Sequence, residues 1–212
     1  KENVMKTIVY LIRHSEQLKK INNIINNDNL QIQNEKTCLS IEGEMLASKI
    51  SKLDELQNID ILFSSNYVRT ISTAKYIANE NNIKINIVEA LGERKFGINN
   101  WNELPKDFEM KQFVDENYKI GNGESQKEVS DRMYNCLMEI IKECKGKRIA
   151  IVSHSTAILY LLKKFVDIDN QGNCTFEGTC FFNWMGNWNY CEIFKLEFTK
   201  NKLIKIENIK EN

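Results

Sequence analysis

Short runs of apolar and β-branched residues alternate along this chain with longer segments in which apolar residues recur every three or four positions. The runs at 7–12 and 148–153 predict strands that are buried on both faces, and shorter segments at 60–63 and 84–88 predict two further strands. The segments between them have the spacing of helices with one buried face. Because strands and helices alternate, we expect a three-layer α/β sandwich with a mostly parallel sheet and helices on both faces.

The first helix is predicted to begin after Ser40, whose hydroxyl can cap it, and to run to about Leu53. Residues 18–38, before this helix, contain many asparagines and few large apolar side chains, so we expect a long loop near His14. The side chains that would form the buried stripe of the helix are Met45, Leu46 and Ile50.

Three further helices are predicted. One follows the strand at 60–63, one runs from Glu124 to a stop at Gly146, and one follows the strand at 148–153. The core-facing positions are Val68, Ile71, Ala74, Ile77 and Ala78 in the first of these, and Val129, Met133, Cys136, Leu137, Ile140 and Cys144 in the second.

The tail alternates at 191–198 and again at 203–206, which predicts an antiparallel pair at the edge of the sheet. Periodicity is weak at about 95–122, where aromatic residues lie between glycines, and a partly helical insertion is expected there. Because no segment is rich in both proline and glycine, we expect residues 1–212 to form a single domain with this insertion.

Composition argues against several classes of function. Acidic and basic residues balance, with 29 of each, so neither nucleic acid nor a membrane surface is an expected partner. No apolar stretch approaches the roughly 20 residues that span a bilayer. The six cysteines include no CxxC pair and no zinc-ligand spacing, so we expect no metal, reduced thiols and a cytoplasmic location. A homodimer stays open.

The two histidines of the chain lie in the same local setting. His14 follows the first predicted strand, and His154 follows the strand at 148–153. If these strands are parallel neighbours, both imidazoles meet in the crevice where open α/β sheets bind ligands. Arg13, beside the first histidine, favours an anionic ligand, most simply phosphate. The alternative is that two unrelated histidines happen to end two strands.

Six short motifs occur in a fixed order between about residues 8 and 160. They are Leu11-Ile12-Arg13-His14-Ser15-Glu16; Leu39-Ser40 followed by Gly43; Ser64-Ser65-Asn66-Tyr67-Val68-Arg69 followed by Thr73-Ala74; Leu91-Gly92-Glu93-Arg94-Lys95-Phe96-Gly97; Gly123-Glu124-Ser125 followed by Arg132; and Val152-Ser153-His154-Ser155. Each motif alone is weak. In this order, the six resemble the signature of the histidine phosphatase superfamily, the phosphoglycerate-mutase-like proteins.

The resemblance implies a phosphoglycerate-mutase-like fold and a histidine acid-type phosphatase that needs no metal or cofactor. Such an enzyme hydrolyses a small phosphorylated metabolite through a phosphohistidine. His14 would attack phosphorus. Arg13 and Arg69 would hold the phosphoryl oxygens. His154 and the backbone N–H of Ser155 would donate further hydrogen bonds to them.

The resemblance also implies a general acid. Glu93 would protonate the leaving alkoxide and then activate the water that hydrolyses the phosphohistidine. Glu103 and Glu124 stay open as alternatives, although Glu124 is better placed to stabilise a helix start by its charge. Arg94 can extend either to the substrate or to the solvent.

The sequence departs from the family pattern in two respects. Ser15 and Ser155 replace glycines, and a Cβ in a tight phosphate loop could crowd the ligand. No arginine lies between Pro105 and Gly123, where phosphoglycerate mutases carry an arginine pair for the substrate carboxylate. This favours a phosphatase over the alternative of a phosphoglycerate mutase. An inactive, phosphate-binding family member is a further alternative, which the presence of all five reacting residues disfavours.

Overall fold

The computed structural model describes residues 5–19, 29–186 and 188–210. Over these residues the chain forms two sheets that are connected by helices. The strands are β1 (Lys6–Arg13), β2 (Ile61–Ser64), β3 (Ile85–Ile87), β4 (Arg148–Ser153), β5 (Asp167–Ile168), β6 (Asn173–Phe176), β7 (Thr179–Asn183), β8 (Ile193–Thr199) and β9 (Lys202–Ile209).

The helices connect and cover these strands. They are α1 (Leu30–Lys36), α2 (Ile41–Ile50), α3 (Val68–Asn81), α4 (Phe108–Val114), α5 (Gln126–Glu143) and α6 (Ser155–Leu162), with short 3-10 turns at Asp54–Leu56, Glu89–Leu91 and Trp101–Glu103. None of the helices in the described ranges combines the length and the apolar character needed to cross a bilayer.

The larger sheet has the strand order β3-β2-β4-β1-β8-β9. Its first four strands are parallel, whereas β8 runs antiparallel to β1 and pairs with β9 in the predicted tail hairpin. The register of β1 and β4 sets Arg13 opposite Ser153. The prediction of a mostly parallel sheet with an antiparallel edge is therefore confirmed.

Side chains of the central strands point alternately into two cores, because successive residues of a strand face opposite sides of the sheet. Val9 and Leu11 pack with α5 and α6, whereas Tyr10 and Ile12 pack with α2 and α3. All four side chains are fully buried. Helices thus cover both faces of the sheet, which confirms the predicted three layers.

Two side chains predicted to be buried lie at the surface instead: Met45 is 69% exposed and Val68 is 38% exposed. The reason in α2 is a close approach of its first turn to the segment after β1, where a Cβ on Gly43 would lie 2.0 Å from the carbonyl oxygen of Glu16. This contact turns Gly43 and Ala47 toward the interior, so that Met45 points outward.

Two features differ from the elements predicted. The expected loop at 18–38 contains α1, which Asn29 caps by accepting from the backbone N–H of Ile32. Residues 20–28 of that predicted loop lie outside the described residues. A second, three-stranded antiparallel sheet with the order β5-β6-β7 follows α6. A register shift between Cys174 and Thr175 interrupts its alternation, which is why periodicity does not reveal it.

Residues 95–122, which include a 3-10 turn and α4, leave and rejoin the rest of the fold at a narrow stem. The backbone N–H of Glu124 donates to the carbonyl of Lys95 at 2.8 Å, and the Glu124 carboxylate accepts from the N–H of Lys95 at 3.0 Å. Gly97 has a φ of +74°, and a Cβ there would lie 2.2 Å from the nitrogen of Gly123. Only glycine fits at this crossing of two backbones. The predicted helix start at Glu124 is two residues early, because Ser125 and Glu128 form the capping box of α5.

Candidate active site

The strands β1 and β4 are parallel neighbours, so the residues that follow them emerge at the same edge of the sheet. His14 and His154 occupy these two positions, and their ring centroids are 5.3 Å apart. The backbone N–H of His14 donates to the carbonyl of Ser153 at 2.9 Å, which extends the strand pairing to the histidine itself. His14 is 5% exposed and His154 is fully buried. The structure therefore brings the two histidines together.

Hydrogen bonds define the tautomer of His14. Its Nδ1 lies 2.7 Å from the carbonyl oxygen of Ser15, which can only accept, so Nδ1 carries the proton. The unprotonated Nε2 accepts from Nε of Arg69 at 3.1 Å. Burial and the positive charge of Arg69, with a smaller effect of Arg13, hold the pKa of His14 well below its usual value. The imidazole is therefore neutral.

Arg69, in the first turn of α3, links the two imidazoles. Its Nη2 donates to Nδ1 of His154 at 3.2 Å, and its Nη1 donates to the carbonyl of Asn34 at 2.6 Å. The guanidinium carbon lies 4.8 Å from the ring centre of Tyr67, a cation–π contact. The side chain is 3% exposed, so its charge acts in a desolvated setting.

His154 is held in the opposite tautomer. Because Arg69 donates to its Nδ1, the proton of the neutral ring lies on Nε2, which is 2.9 Å from Oγ of Ser65. Oγ of Ser65 is in turn 2.7 Å from Oγ1 of Thr70. Burial, followed by the charge of Arg69, holds the pKa of His154 well below its usual value. In this geometry, Nδ1 of His154 is an acceptor.

Arg13 reaches the same edge of the sheet from the end of β1. Its Nη1 donates to the carbonyl of Trp188 at 2.7 Å, and the guanidinium carbon lies 4.6 Å from the ring centre of Tyr190. Its Nε is buried and has no hydrogen-bond partner among the described residues. Burial lowers the pKa of this guanidinium, and Tyr190 and then Glu93 oppose that effect. Arg13 thus retains an unused donor.

The two serines that replace family glycines differ in their contacts. Oγ of Ser15 donates to the carbonyl of Gly43 at 2.7 Å, and the backbone N–H of Ser15 donates to Oγ1 of Thr73 at 2.9 Å. The Ser15 hydroxyl is therefore committed to the first turn of α2. Ser155 is the first residue of α6, with His154 as the N-cap, so its backbone N–H belongs to the positive end of that helix.

Glu93 lies between the 3-10 turn at Glu89–Leu91 and the stem at Lys95. Its Oε1 accepts from the backbone N–H of Ala157 at 3.0 Å and from that of Arg94 at 2.9 Å. Ala157 is in the first turn of α6, the helix that begins directly after His154. The carboxylate thus caps this helix at the edge of the histidine pair.

Arg132 of α5 fixes the segment that carries Glu93. Its Nη1 donates to the carbonyls of Ala90 and Gly92 at 2.8 and 3.1 Å. Its Nε and Nη2 donate to the two carboxylate oxygens of Glu124 at 2.8 and 2.9 Å. Glu124 therefore pairs with an arginine and does not cap a helix, and the bidentate geometry makes this a rigid support.

The structure shows the contacts of two further residues, Arg94 and Glu103, whose roles the sequence left open. Arg94 is 1% exposed and donates to Glu109 and Gln112, each at 2.6 Å, so it holds α4 and is shielded from solvent. Glu103 is exposed and accepts from the backbone N–H of Asn99 at 3.2 Å.

Several contacts of the site were not predicted. Ser65 and Tyr67 lie within the motif that ends at Arg69, so the motif could have been used to predict that they lie near His154. Asn34 and Tyr190 come from segments with no motif and no periodicity, and only the tertiary structure places them against the arginines.

Two relatives resemble this chain in sequence. The probable phosphoglycerate mutase GpmB of Escherichia fergusonii is 29% identical over 158 residues, which cover 71% of this chain and 70% of that protein. The protein of the same name from Salmonella choleraesuis is 28% identical over 158 residues, with the same coverage.

Solved structures match over nearly the whole chain. A mycobacterial glucosyl-3-phosphoglycerate phosphatase has a TM-score of 0.70 at 15% identity, covering 96% of this chain and 97% of that one. A phosphoserine phosphatase mutant from Entamoeba histolytica, solved with phosphoserine, has a TM-score of 0.65 at 21% identity, covering 95% and 96%. At these identities the likeness establishes the fold.

The model of the histidine phosphatase superfamily (branch 1) matches residues 9–202, which include both histidines, Arg13, Arg69 and Glu93. This match extends over most of the chain and agrees with the resemblance of the six motifs. The chain belongs to the histidine phosphatase superfamily.

Proposed function

We propose that this protein is a metal-independent phosphomonoesterase that acts through a phosphohistidine on His14. The observation that carries the proposal is the state of that imidazole. It is neutral, with its proton held on Nδ1 by the carbonyl of Ser15 and its lone pair on Nε2. A nucleophilic histidine needs this lone pair, and the lowered pKa keeps it available at neutral pH.

The arginines bind the phosphoryl group. A phosphoryl group on Nε2 of His14 replaces that nitrogen as the acceptor for Nε of Arg69. It also supplies an acceptor for the buried Nε of Arg13, which otherwise carries the cost of an unsatisfied donor. The backbone N–H of Ser155 adds a contact at the positive end of α6. These fixed cationic and polar groups stabilise the charge of the transition state without a metal.

His154 becomes a donor when the anion binds. Its Nδ1 accepts from Arg69, so this nitrogen cannot donate to an oxyanion until it gains a proton. A bound dianion raises the proton affinity of a neighbouring imidazole and favours this change. His154 then contributes a charged hydrogen bond that exists only with the phosphoryl group in place.

Glu93 moves the protons. In the first step, the bond from Nε2 of His14 to phosphorus forms, the ester P–O bond breaks, and the carboxylic acid gives its proton to the leaving oxygen. In the second step, the carboxylate takes a proton from water, the water oxygen bonds to phosphorus, and the P–N bond breaks to release inorganic phosphate. The acid is then regenerated.

A phosphoglycerate mutase is the second candidate, because the curated relatives carry that name and the same phosphohistidine would serve it. The lack of arginine between Pro105 and Gly123 favours hydrolysis. A phosphate-binding protein without turnover would use the same clamp. The proposal further includes a small phosphorylated metabolite as the substrate and a cytoplasmic location. A homodimer stays open.

The test is a screen of phosphorylated metabolites and an aryl phosphate with the purified protein, with and without a chelator. We expect phosphate release that survives the chelator. We also expect an acid-labile, base-stable label on the wild type that is lost in His14→Ala. Metal-dependent turnover, or equal labelling of His14→Ala, would overturn the mechanism. Interconversion of 2- and 3-phosphoglycerate without net phosphate release would replace the phosphatase by a mutase.

A further inference from the structure

We propose that the leaving group of the substrate is an uncharged, polyhydroxylated ring of the size of a sugar, bound in a cavity between α1 and the stem of the insertion. This inference rests on the proposed phosphatase function and specifies its substrate class. It follows from the side of the site on which Glu93 lies, from the charges there, and from the polar and aromatic groups of the cavity.

The position of Glu93 sets the direction in which the leaving group departs. The acid must lie beside the ester oxygen that it protonates, so the leaving group extends toward Glu93. Glu93 lines a cavity of about 370 Å³ together with Tyr67, Glu35, Glu89 and Lys95. The ring of Tyr67 packs against His154, with centroids 4.5 Å apart, so this cavity adjoins the histidine pair.

A second cavity, of about 380 Å³, adjoins the first. Lys95 lines both cavities. Gln31 of α1 lines the second cavity and donates to the Tyr67 hydroxyl at 2.8 Å, and the Asn34 carbonyl accepts from Arg69. Two consecutive turns of α1 therefore contact the catalytic clamp and border the second cavity. The ring of the substrate would extend from the first cavity into the second past Lys95, which lines both.

The charges near Glu93 disfavour a leaving group that carries a carboxylate. Glu35 and Glu89 line the same cavity as Glu93. The two cations there already have partners: Arg132 is bidentate with Glu124, and Lys95 lies 3.9 Å from Glu89. A further carboxylate would meet like charges without a free cation to pair with.

The chemistry of the second cavity matches hydroxyl groups. Its described lining includes the side-chain amides of Asn34, Asn99 and Asn122, which have no hydrogen-bond partner among the described residues. Each amide both donates and accepts, as each hydroxyl does, so one amide can bind a pair of neighbouring hydroxyls. No carboxylate occurs among the lining residues that the structure describes for this second cavity, so a cationic group such as choline would have no partner there.

Trp101 supplies an open aromatic surface in the same cavity. It is 42% exposed, and its ring meets Phe96 edge to face at a centroid distance of 5.0 Å. Phe96 itself is covered by the guanidinium of Arg94, 4.6 Å from the ring centre. A single aromatic face beside amides suits the C–H face of a sugar ring, whereas a nucleobase favours a ring on both of its faces.

The first experiment compares kcat/KM for a sugar phosphate, a nucleoside monophosphate, phosphoserine and phosphocholine, with acetyl phosphate as a reference whose leaving group is too small to reach Trp101. We expect the sugar phosphate to lead the other esters by about tenfold or more. Trp101→Ala should remove this advantage mainly through KM and leave acetyl phosphate within about twofold. Met110→Ala, at an exposed position of α4, is the matched control. It should change neither the advantage of the sugar phosphate nor the turnover of acetyl phosphate.

The outcomes separate the two proposals. Turnover of acetyl phosphate together with a preference for phosphoserine, phosphocholine or the nucleotide overturns the inference and leaves the phosphatase intact. Absence of all turnover refutes the phosphatase. In that case, the tryptophan fluorescence of His14→Ala during titration with the sugar phosphate tests whether the sugar binds beside Trp101. We expect a saturable change that Trp101→Phe abolishes, and an unchanged signal would overturn the inference on its own.

Discussion

Nε of Arg69 donates a hydrogen bond to Nε2 of His14 at 3.1 Å, so the guanidinium rests on the lone pair that we propose as the nucleophile. The same guanidinium donates to His154 and to the carbonyl of Asn34, which fixes its plane. A phosphoryl group that bonds to Nε2 takes the place of the nitrogen as acceptor, and the arginine needs little reorganisation to hold it. In the proposed mechanism, Arg69 is thus in position before the substrate binds.

Arg69→Lys should lower kcat/KM by about 100-fold or more, because lysine keeps the charge but its single nitrogen cannot span the three acceptors that the planar guanidinium contacts. Steady-state kinetics with an aryl phosphate measures the loss. Arg148→Lys, at the opposite end of β4, is the matched control and should retain activity within a few-fold. If the two variants lose activity equally, the guanidinium of Arg69 has no special role in the reaction.

The free energy of unfolding should fall as the pH drops below about 6.5, the ordinary pKa of histidine. The pKa values of His14 and His154 in the folded protein are lowered, so in this range the unfolded chain binds protons that the native protein does not. The loss is about 1.4 kcal/mol per pH unit for each histidine, and stability is independent of these groups above about pH 7.5.

Urea denaturation between pH 7.5 and 5.5 measures this slope. The chain has two histidines, so His14→Gln should remove about half of it and leave the rest to His154. A stability that is flat across this range would show that the imidazoles take up protons in the folded protein over the same pH range as in the unfolded chain, contrary to the lowered pKa values described above.

Glu93→Gln should reduce the turnover of an alkyl phosphate on the order of tenfold more than that of an activated aryl phosphate, because a poor leaving group depends more on the acid. Hydrolysis of the phosphohistidine should slow as well, which gives a burst with the aryl substrate. Parallel rate measurements with both esters test this. Equal losses without a longer-lived intermediate would make Glu103 and Glu124 the next candidates.

The capping contact of Glu93 provides a structural control for that experiment. Glutamine keeps an oxygen that can accept from the backbone N–H of Ala157, whereas Glu93→Ala leaves this donor of α6 unpaired. We therefore expect Glu93→Ala to lower the free energy of unfolding by about 1 kcal/mol and Glu93→Gln to change it much less. Both should share the kinetic defect.

Ser15→Gly, which restores the residue of the family pattern, should cost about 1 kcal/mol in stability and leave kcat nearly unchanged. The Ser15 hydroxyl bonds to the carbonyl of Gly43, so its removal loosens the first turn of α2 without removing a group from the clamp. Denaturant titration and kinetics of the same preparation give both quantities. A large rise in kcat would mean that the serine Cβ crowds the phosphoryl group.

Arg132→Lys should impair catalysis through Glu93. Arg132 holds the carbonyls of Ala90 and Gly92, which set the path of the backbone into Glu93. We expect a lower kcat for alkyl phosphates with little change in KM, and no further loss when the substitution is combined with Glu93→Gln. Additive effects in this double-mutant cycle would assign Arg132 a separate role.

The sequence predicted the mostly parallel sheet, the helices on both of its faces and the pairing of the histidines, because these follow from local periodicity and from the rule that parallel strands end at one edge. It missed the orientation of α2, since a close backbone approach at Gly43 decides it and periodicity does not record such contacts. It also left Arg94 open, because only the tertiary structure shows that Glu109 and Gln112 surround its guanidinium.

The tautomers of His14 and His154 could not be predicted from the sequence either. The resemblance implied His154 as a hydrogen-bond donor, but its Nδ1 accepts from Arg69 and its Nε2 faces Ser65. Which nitrogen carries the proton depends on partners from β2 and α3 that are distant in the chain.

The narrow stem at Lys95 and Glu124 makes the insertion exchangeable. Two backbone crossings, one between these residues and one at Gly97 and Gly123, close the segment, and Gln112 of α4 accepts from Arg94 and Tyr160, so a replacement has to keep the junction and this contact with the core. A graft from a relative with a different substrate, joined inside the two glycines, would then carry its selectivity onto this scaffold. In such a chimera, the same phosphoryl-transfer residues would act on different phosphate esters after the exchange of one continuous segment.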